Sequence, residues 1–247
     1  MGKLKGSAVR QKDCGFTLIE MAMVLVIVAF LLGGLLMPLS TQVEQRKISE
    51  TQKALEEIKE ALTGYAIANG RVPCPANGTI ASGAANAGLE NTSGSGAAMT
   101  CVNAGGVLPW ATLGVNETDA WGRRFTYRVT PSFADGADGT GTGSCAVTAG
   151  ISFQLCSNGN LNVFATAGGT SVASNVPAMI VSHGANGLGA YMPNGVQLGG
   201  AAGDENENAD NDNTFVSKIP TSTFDDLVTW ITPNILLNRM VAAGRLP

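Results

Sequence analysis

An apolar run from Phe16 to Leu39 constrains this chain more than any other feature, and it contains one carboxylate, Glu20. As a helix, its 24 residues would extend roughly 36 Å, enough to cross a hydrocarbon core of about 30 Å. The preceding leader carries Lys3, Lys5, Arg10 and Lys12 against Asp13. Positive charge stays on the cytoplasmic side, so everything after Leu39 is expected outside the cytoplasm. The whole chain has net charge −4; without its first 15 residues it has 11 basic and 18 acidic residues, a net of −7. That balance argues against direct nucleic-acid binding. Only 14% of residues are charged and 32 are Gly, as in a loop-rich extracytoplasmic domain.

Glu20 needs a partner, because a lone carboxylate facing lipid costs about 2.5–3.5 kcal/mol or more. An ordinary signal peptide would have a shorter apolar core followed promptly by a small-residue cleavage site. A lipoprotein signal would place its Cys after the core, whereas Cys14 precedes it. A plain anchor leaves Glu20 unexplained. Cleavage between Gly15 and Phe16 would supply an α-amino group four residues from Glu20, on one helix face. The pair could close within one chain. Between neighbouring chains it would fix axial register, with an offset of about one helical turn.

"GFTLIE" after a short basic leader, followed by about twenty apolar residues, resembles the class III signal of type IV pilins and type II secretion pseudopilins. The resemblance implies cleavage after Gly15 by a prepilin peptidase and N-methylation of Phe16. It implies that Glu20 pairs with the N-terminal amine of an adjacent subunit and that Pro38 bends the helix. It implies an α+β, pilin-like fold, with a long N-terminal helix on a small antiparallel β-sheet head. The expected divisions are a leader at 1–15, a transmembrane and assembly helix at 16–39, an amphipathic stalk helix at 40–70 and a head at 71–247. The expected place is the bacterial inner membrane, crossed once with the head in the periplasm, and then a periplasmic or extracellular filament. The expected partners are further copies of the chain, other pilins or pseudopilins, the peptidase, an inner-membrane assembly platform driven by a cytoplasmic ATPase, and membrane lipid.

Beyond Pro38, Ile48, Leu55, Ile58, Leu62 and Tyr65 recur at helical spacing, predicting one helix to about Ala68 whose stripe packs on a sheet. Asn69-Gly70 and Pro73 should end it.

Cys74, Cys101, Cys145 and Cys156 remain after cleavage, an even count that predicts two disulfides outside the cytoplasm. Three pairings are possible; proximity favours Cys74–Cys101 and Cys145–Cys156. The second requires a turn, for which Thr148–Gly150 is the candidate. The Gly- and Ala-rich stretch from Ala76 to Gly106, tied by Cys74 and Cys101, reads as a long surface loop, either passive or a contact surface.

"RFTYRV" and "VPAMIV" read as strands. "ISFQLC" and "LNVFAT", separated by a segment containing Asn158-Gly159, read as a hairpin. "TSTFDDLVTWI" places Phe224, Leu227, Val228 and Ile231 at helical spacing and predicts a helix ended by Pro233. "NILLNRMVAAG" predicts a second helix, ending at Gly244.

Two stretches of the head extend the resemblance. "DAWGRRFTY" is similar to the Trp-Gly turn of major pseudopilins, with Ala120 and Arg124 where that pattern has Pro. "SHGANGLGA" followed by "GDENENADNDN" resembles their calcium loop, Ser182–Gly187 and Asn208–Asp210 being the matching positions. The resemblance implies calcium held by Asp204, Asn208, Asp210 and Asp212, although Asn208 stands where the pattern usually has Asp. Chemically, Asp204, Glu205, Glu207, Asp210 and Asp212 crowd carboxylates that a hard cation with 6–8 oxygen ligands would neutralise. A solvated acidic loop is the alternative, and the spacing is not that of an EF-hand.

His183 is the single histidine, with no nucleophile elbow or phosphate-binding loop beside it. The sequence therefore points away from an enzyme. The expected function is a structural subunit of a type II secretion pseudopilus, assembled for protein secretion. The alternatives are a type IV pilin or minor pilin in adhesion, motility or DNA uptake, and a membrane-tethered binding protein that never polymerises.

Overall fold

The computed structural model describes residues 15–136 and 149–247. They form two compact units that part between Arg46 and Lys47. One helix, α1 (Leu18–Asn69), contributes residues to both. The architecture is α+β, as expected: the long N-terminal helix is followed by a head of small sheets.

In the first unit every residue from Gly15 to Leu31 is exposed. The side chains of residues 32–40 lie outside the described residues, and the bending role expected of Pro38 lies there with them. Among the described residues, no helix is long and apolar enough to cross a membrane.

The second unit is built on the amphipathic stripe. Leu55, Ile58, Leu62 and Ala66 are buried at spacings of three and four, with Ile48 packed at the margin. The head then runs β1 (Thr92–Ser93), β2 (Thr100–Cys101), β3 (Gly105–Val107), α2 (Trp110–Leu113), β4 (Thr126–Val129) and α3 (Pro131–Ala134). It continues through β5 (Leu161–Phe164), β6 (Ser171–Val176), β7 (Ala178–Ser182), β8 (Thr214–Val216), β9 (Leu227–Ile231) and α4 (Pro233–Ala242). The main sheet has the order β3-β4-β7-β9 and is antiparallel throughout. A second sheet has the order β6-β5-β8, with β5 and β8 parallel.

Alternation along β7 sets the layers. Ala178 and Ile180 join the cluster formed with the α1 stripe, Tyr127, Val129 and Ile231. Met179 and Val181 face the other way, onto Leu161, Val163, Val176 and Phe215 of the second sheet. With both faces covered, β7 has no solvent side, which accounts for its unbroken apolar run.

Cys74 and Cys101 are joined by a disulfide, the first of the expected pairings. Cys156 is also disulfide-bonded, and Cys145 lies outside the described residues. The loop these cysteines bound is less irregular than expected, because β1 and β2 pair within it.

Two expected elements are corrected. "ISFQLC" is not a strand, and no hairpin forms at Asn158-Gly159. Ile151 to Gln154 are buried on every side, with Phe153 stacked on Phe133 at 4.8 Å, so no alternating face exists. Neither Asn158 nor Gly159 has the positive φ that the tight hairpin turn requires. Gly159 serves close approach instead: a Cβ there would lie 2.2 Å from the Val176 carbonyl oxygen. The second correction is "TFDDLVTWI". It contains β9, which pairs with β7 from Ala178↔Ile231 to Ser182↔Leu227. Its β-branched and aromatic Val-Thr-Trp-Ile run suits a pleated surface, and backbone pairing overrides the helical spacing. α4 forms as expected, with Pro233 in its first turn, where a missing N–H costs nothing.

Candidate functional site

At the N-terminus, Thr17 and Glu20 form a reciprocal cap. The Thr17 Oγ1 accepts the Glu20 amide at 3.3 Å. The Glu20 Oε2 accepts both the Thr17 amide and the Thr17 hydroxyl at 2.8 Å. This is a capping box, in which two otherwise unpaired helix-start amides are satisfied by each other's side chains. The Thr-x-x-Glu signature of this box is present in the sequence at Thr17 and Glu20. Both bonds fall on Oε2. Phe16 is 82% exposed, next to the proposed cleavage point.

The Trp-Gly turn lacks the prolines of that pattern and is held by hydrogen bonds to Asp119. Asp119 Oδ1 accepts the amides of Trp121 and Arg123, and its Oδ2 accepts the Ser182 hydroxyl at 2.6 Å. Arg124 is wholly buried and donates to Glu117 and to the carbonyls of Gly78, Ile80 and Pro193. Its guanidinium lies 4.6 Å from the Trp110 ring centre. Arg123 donates to the carbonyls of Gly184 and Ala185 and so holds the Gly-rich loop.

The expected calcium set is divided by the fold. Asp204 pairs with Lys218 and accepts the Ala167 amide. Asn208 is buried and brackets Val216, donating to its carbonyl at 3.1 Å and accepting its amide at 2.9 Å. The two side chains thus have separate partners. Asp210 and Asp212 do come together, with Glu207. That trio is largely exposed; Thr214 bonds Glu207 and Asp212, and the Arg128 charge lies nearby.

A second acidic group assembles where none was expected. Glu205, Asp225 and Asp226 each bring a carboxylate oxygen within 4.8 Å of the others'. Glu205 is 4% exposed and Asp226 is 2% exposed. Burial pushes the Asp225 carboxyl above its ordinary range; the Asn186 amide opposes this, and the Glu205 and Asp226 charges add to it. β9 brings Asp225 and Asp226 here by pairing with β7, and the Gly-rich loop supplies Asn186. A side chain at Gly184 would strike this group, since a Cβ would lie 2.2 Å from the Asp225 carbonyl oxygen. The helical spacing of Phe224, Leu227, Val228 and Ile231 gives no sign that the adjacent Asp-Asp pair joins a buried group.

Comparison with known families matches residues 10–36 to the prokaryotic N-terminal methylation motif, the signal of type IV pilins and pseudopilins. The chain thus carries a pilin-type N-terminus, the kind processed by prepilin peptidase and used in filament assembly. No curated protein and no solved structure matches it.

Proposed function

We propose that this chain is the structural subunit of a type II secretion pseudopilus. It is cut between Gly15 and Phe16, methylated on Phe16, and assembled through the helix beginning at Leu18. The observation that carries this reading is the pairing of a methylation motif at 10–36 with a helix exposed on all sides from Leu18 to Leu31. A helix apolar all round needs lipid or other helices about it. Phe16–Leu39 supplies the inner-membrane span before assembly and the subunit contact after it. The capping box supports a defined role for Glu20: one oxygen holds the helix start, and the neighbouring subunit's methylated amine neutralises the charge. The head then lies in the periplasm and supplies surface.

Glu20→Leu tests this reading. The variant should remain in the membrane, processed, while filaments and export of the secreted proteins both fall away. Normal incorporation would contradict the role given to Glu20. Loss of surface pili with secretion intact would point to a type IV pilin instead.

A further inference from the structure

We propose that the outer edge of β9 docks one extended, basic segment of a partner polypeptide, which joins the main sheet as a fifth strand. The proposal goes beyond the filament reading and does not depend on it.

Backbone pairing is the first reason. The Thr130 amide donates to the Pro177 carbonyl at 2.8 Å, so Pro177 faces β4. Antiparallel ladders alternate, so Met179 and Val181 face β4 as well, while Ala178, Ile180 and Ser182 face β9. Their partners across the ladder are Ile231, Thr229 and Leu227. The N–H and C=O groups of Val228 and Trp230 therefore point to the far side of β9. Among the described residues no hydrogen bond satisfies them there. A row of unpaired strand groups is a template for another strand, whose own backbone repeats at the same spacing.

The other sheet edges supply the second reason. The outer edge of β3 is closed by Ala76, which exchanges two backbone bonds with Val107, at 2.8 and 3.1 Å. That of β8 is closed by the Asn208 side chain at Val216. β9 reads Leu-Val-Thr-Trp-Ile, with no charge, Pro or Gly to turn a strand away. Leu227 and Ile231 belong to the α1 cluster, and Val228 and Trp230 are half-buried against the second one. An added strand would extend both apolar layers at once.

A cleft is the third. About 510 Å³ in volume, it lies along the start of β9, lined by Leu55 and Glu56 of α1, the segment 217–220 and residues 226–229. In strand addition the backbone bonds give affinity, and pockets beside the strand select side chains. Here Leu55 and Leu227 select an apolar one.

Charge selects the occupant. The lining carries Glu56 and Asp226 against Lys218, and Lys218 is already paired with Asp204. Lys59 offsets Glu56 only at the surface, where the Glu56 side chain is 68% exposed. Asp226 has Glu205 and Asp225 beside it, and His183 is its basic neighbour. The edge is therefore acidic, which favours Lys or Arg on the incoming strand. It disfavours a second copy of this chain, which from Phe16 onward has 11 basic and 18 acidic residues, a net of −7.

The test uses the full chain in detergent, labelled with ¹⁵N on Val and Trp, and two acetylated and amidated heptapeptides, TVKVKVT and TVEVEVT. Without peptide, the Val228 and Trp230 amides should exchange with solvent about tenfold or more faster than the Val129 amide, which is bonded to the Ala104 carbonyl at 2.9 Å. TVKVKVT should bind with a Kd below about 1 mM and slow both amides about tenfold. TVEVEVT should bind about tenfold more weakly, and Glu56→Lys should reduce or reverse that preference. TVKVKVT with alternate amides N-methylated, on the face that pairs, should not bind, because it cannot donate to the edge. Val228→Pro keeps the bonds to β7 and removes an outward donor, a place where a strand tolerates Pro, and should abolish binding. If that variant does not fold, Glu56→Lys, on the wet side of α1, carries the mutational test. Failure of TVKVKVT to bind would overturn the proposal, as would binding that leaves the Val228 and Trp230 amides unchanged. So would equal binding of the two peptides, or a dimer of the chain that protects these amides without peptide.

Discussion

Arg71 and Glu90 form a two-pronged ion pair, Nη1 to Oε2 and Nη2 to Oε1, both at 2.8 Å and both largely buried. Oε2 also accepts the Cys74 amide at 3.1 Å, and Oε1 accepts the Tyr65 hydroxyl at 2.9 Å. One carboxylate thus fastens the last turns of α1 to the start of the disulfide-bounded segment. Glu90→Gln keeps the shape and removes the charge; it should cost about 2–3 kcal/mol in chemical denaturation. Burial raises the Glu90 carboxyl, but the Arg71 bonds outweigh it and hold the group below its ordinary value. A depressed carboxyl stabilises the fold fully above its unfolded value of about 4.3, and that contribution is lost as pH falls through the folded value. The wild-type melting temperature should therefore drop below about pH 4 more steeply than that of Glu90→Gln. Parallel acid profiles would contradict the pair's role.

Arg124 is wholly buried and donates to a carboxylate, a hydroxyl and three backbone carbonyls, and Lys cannot reproduce its planar set of donors. Arg124→Lys should leave several buried carbonyls unpaired and lower stability by about 3–5 kcal/mol. A urea midpoint within error of the wild type would show that the turn does not depend on it.

The Cys74–Cys101 disulfide closes a loop with a sequence separation of 27. The double variant Cys74→Ala/Cys101→Ala should lose about 3–4 kcal/mol, chiefly by freeing the unfolded chain. A loss under about 1 kcal/mol would mean that the Arg71–Glu90 pair and β1–β2 hold the segment unaided.

The α1 stripe was legible because three- and four-residue spacing has one geometric solution. β4 and β7 were legible from alternation and from an unbroken apolar run. β9 was misread because Phe224, Leu227, Val228 and Ile231 satisfy a helical spacing, while the open edge of β7 that captures them is set by the tertiary fold. The buried acidic group was hidden for the same reason. Glu205 and Asp225 meet only because β9 folds back on β7, and Lys218 draws Asp204 away. At the N-terminus, the methylation motif at 10–36 was legible because it is a continuous stretch of linear sequence.

The most direct test of processing and assembly through the N-terminal helix is the intact mass and N-terminal sequence of the chain recovered from cells containing a prepilin peptidase. The mature chain should begin at Phe16 and carry one methyl group on its amine, and Gly15→Ala should leave the leader attached. A wild-type chain that keeps its leader in the presence of active peptidase would contradict the reading at its root.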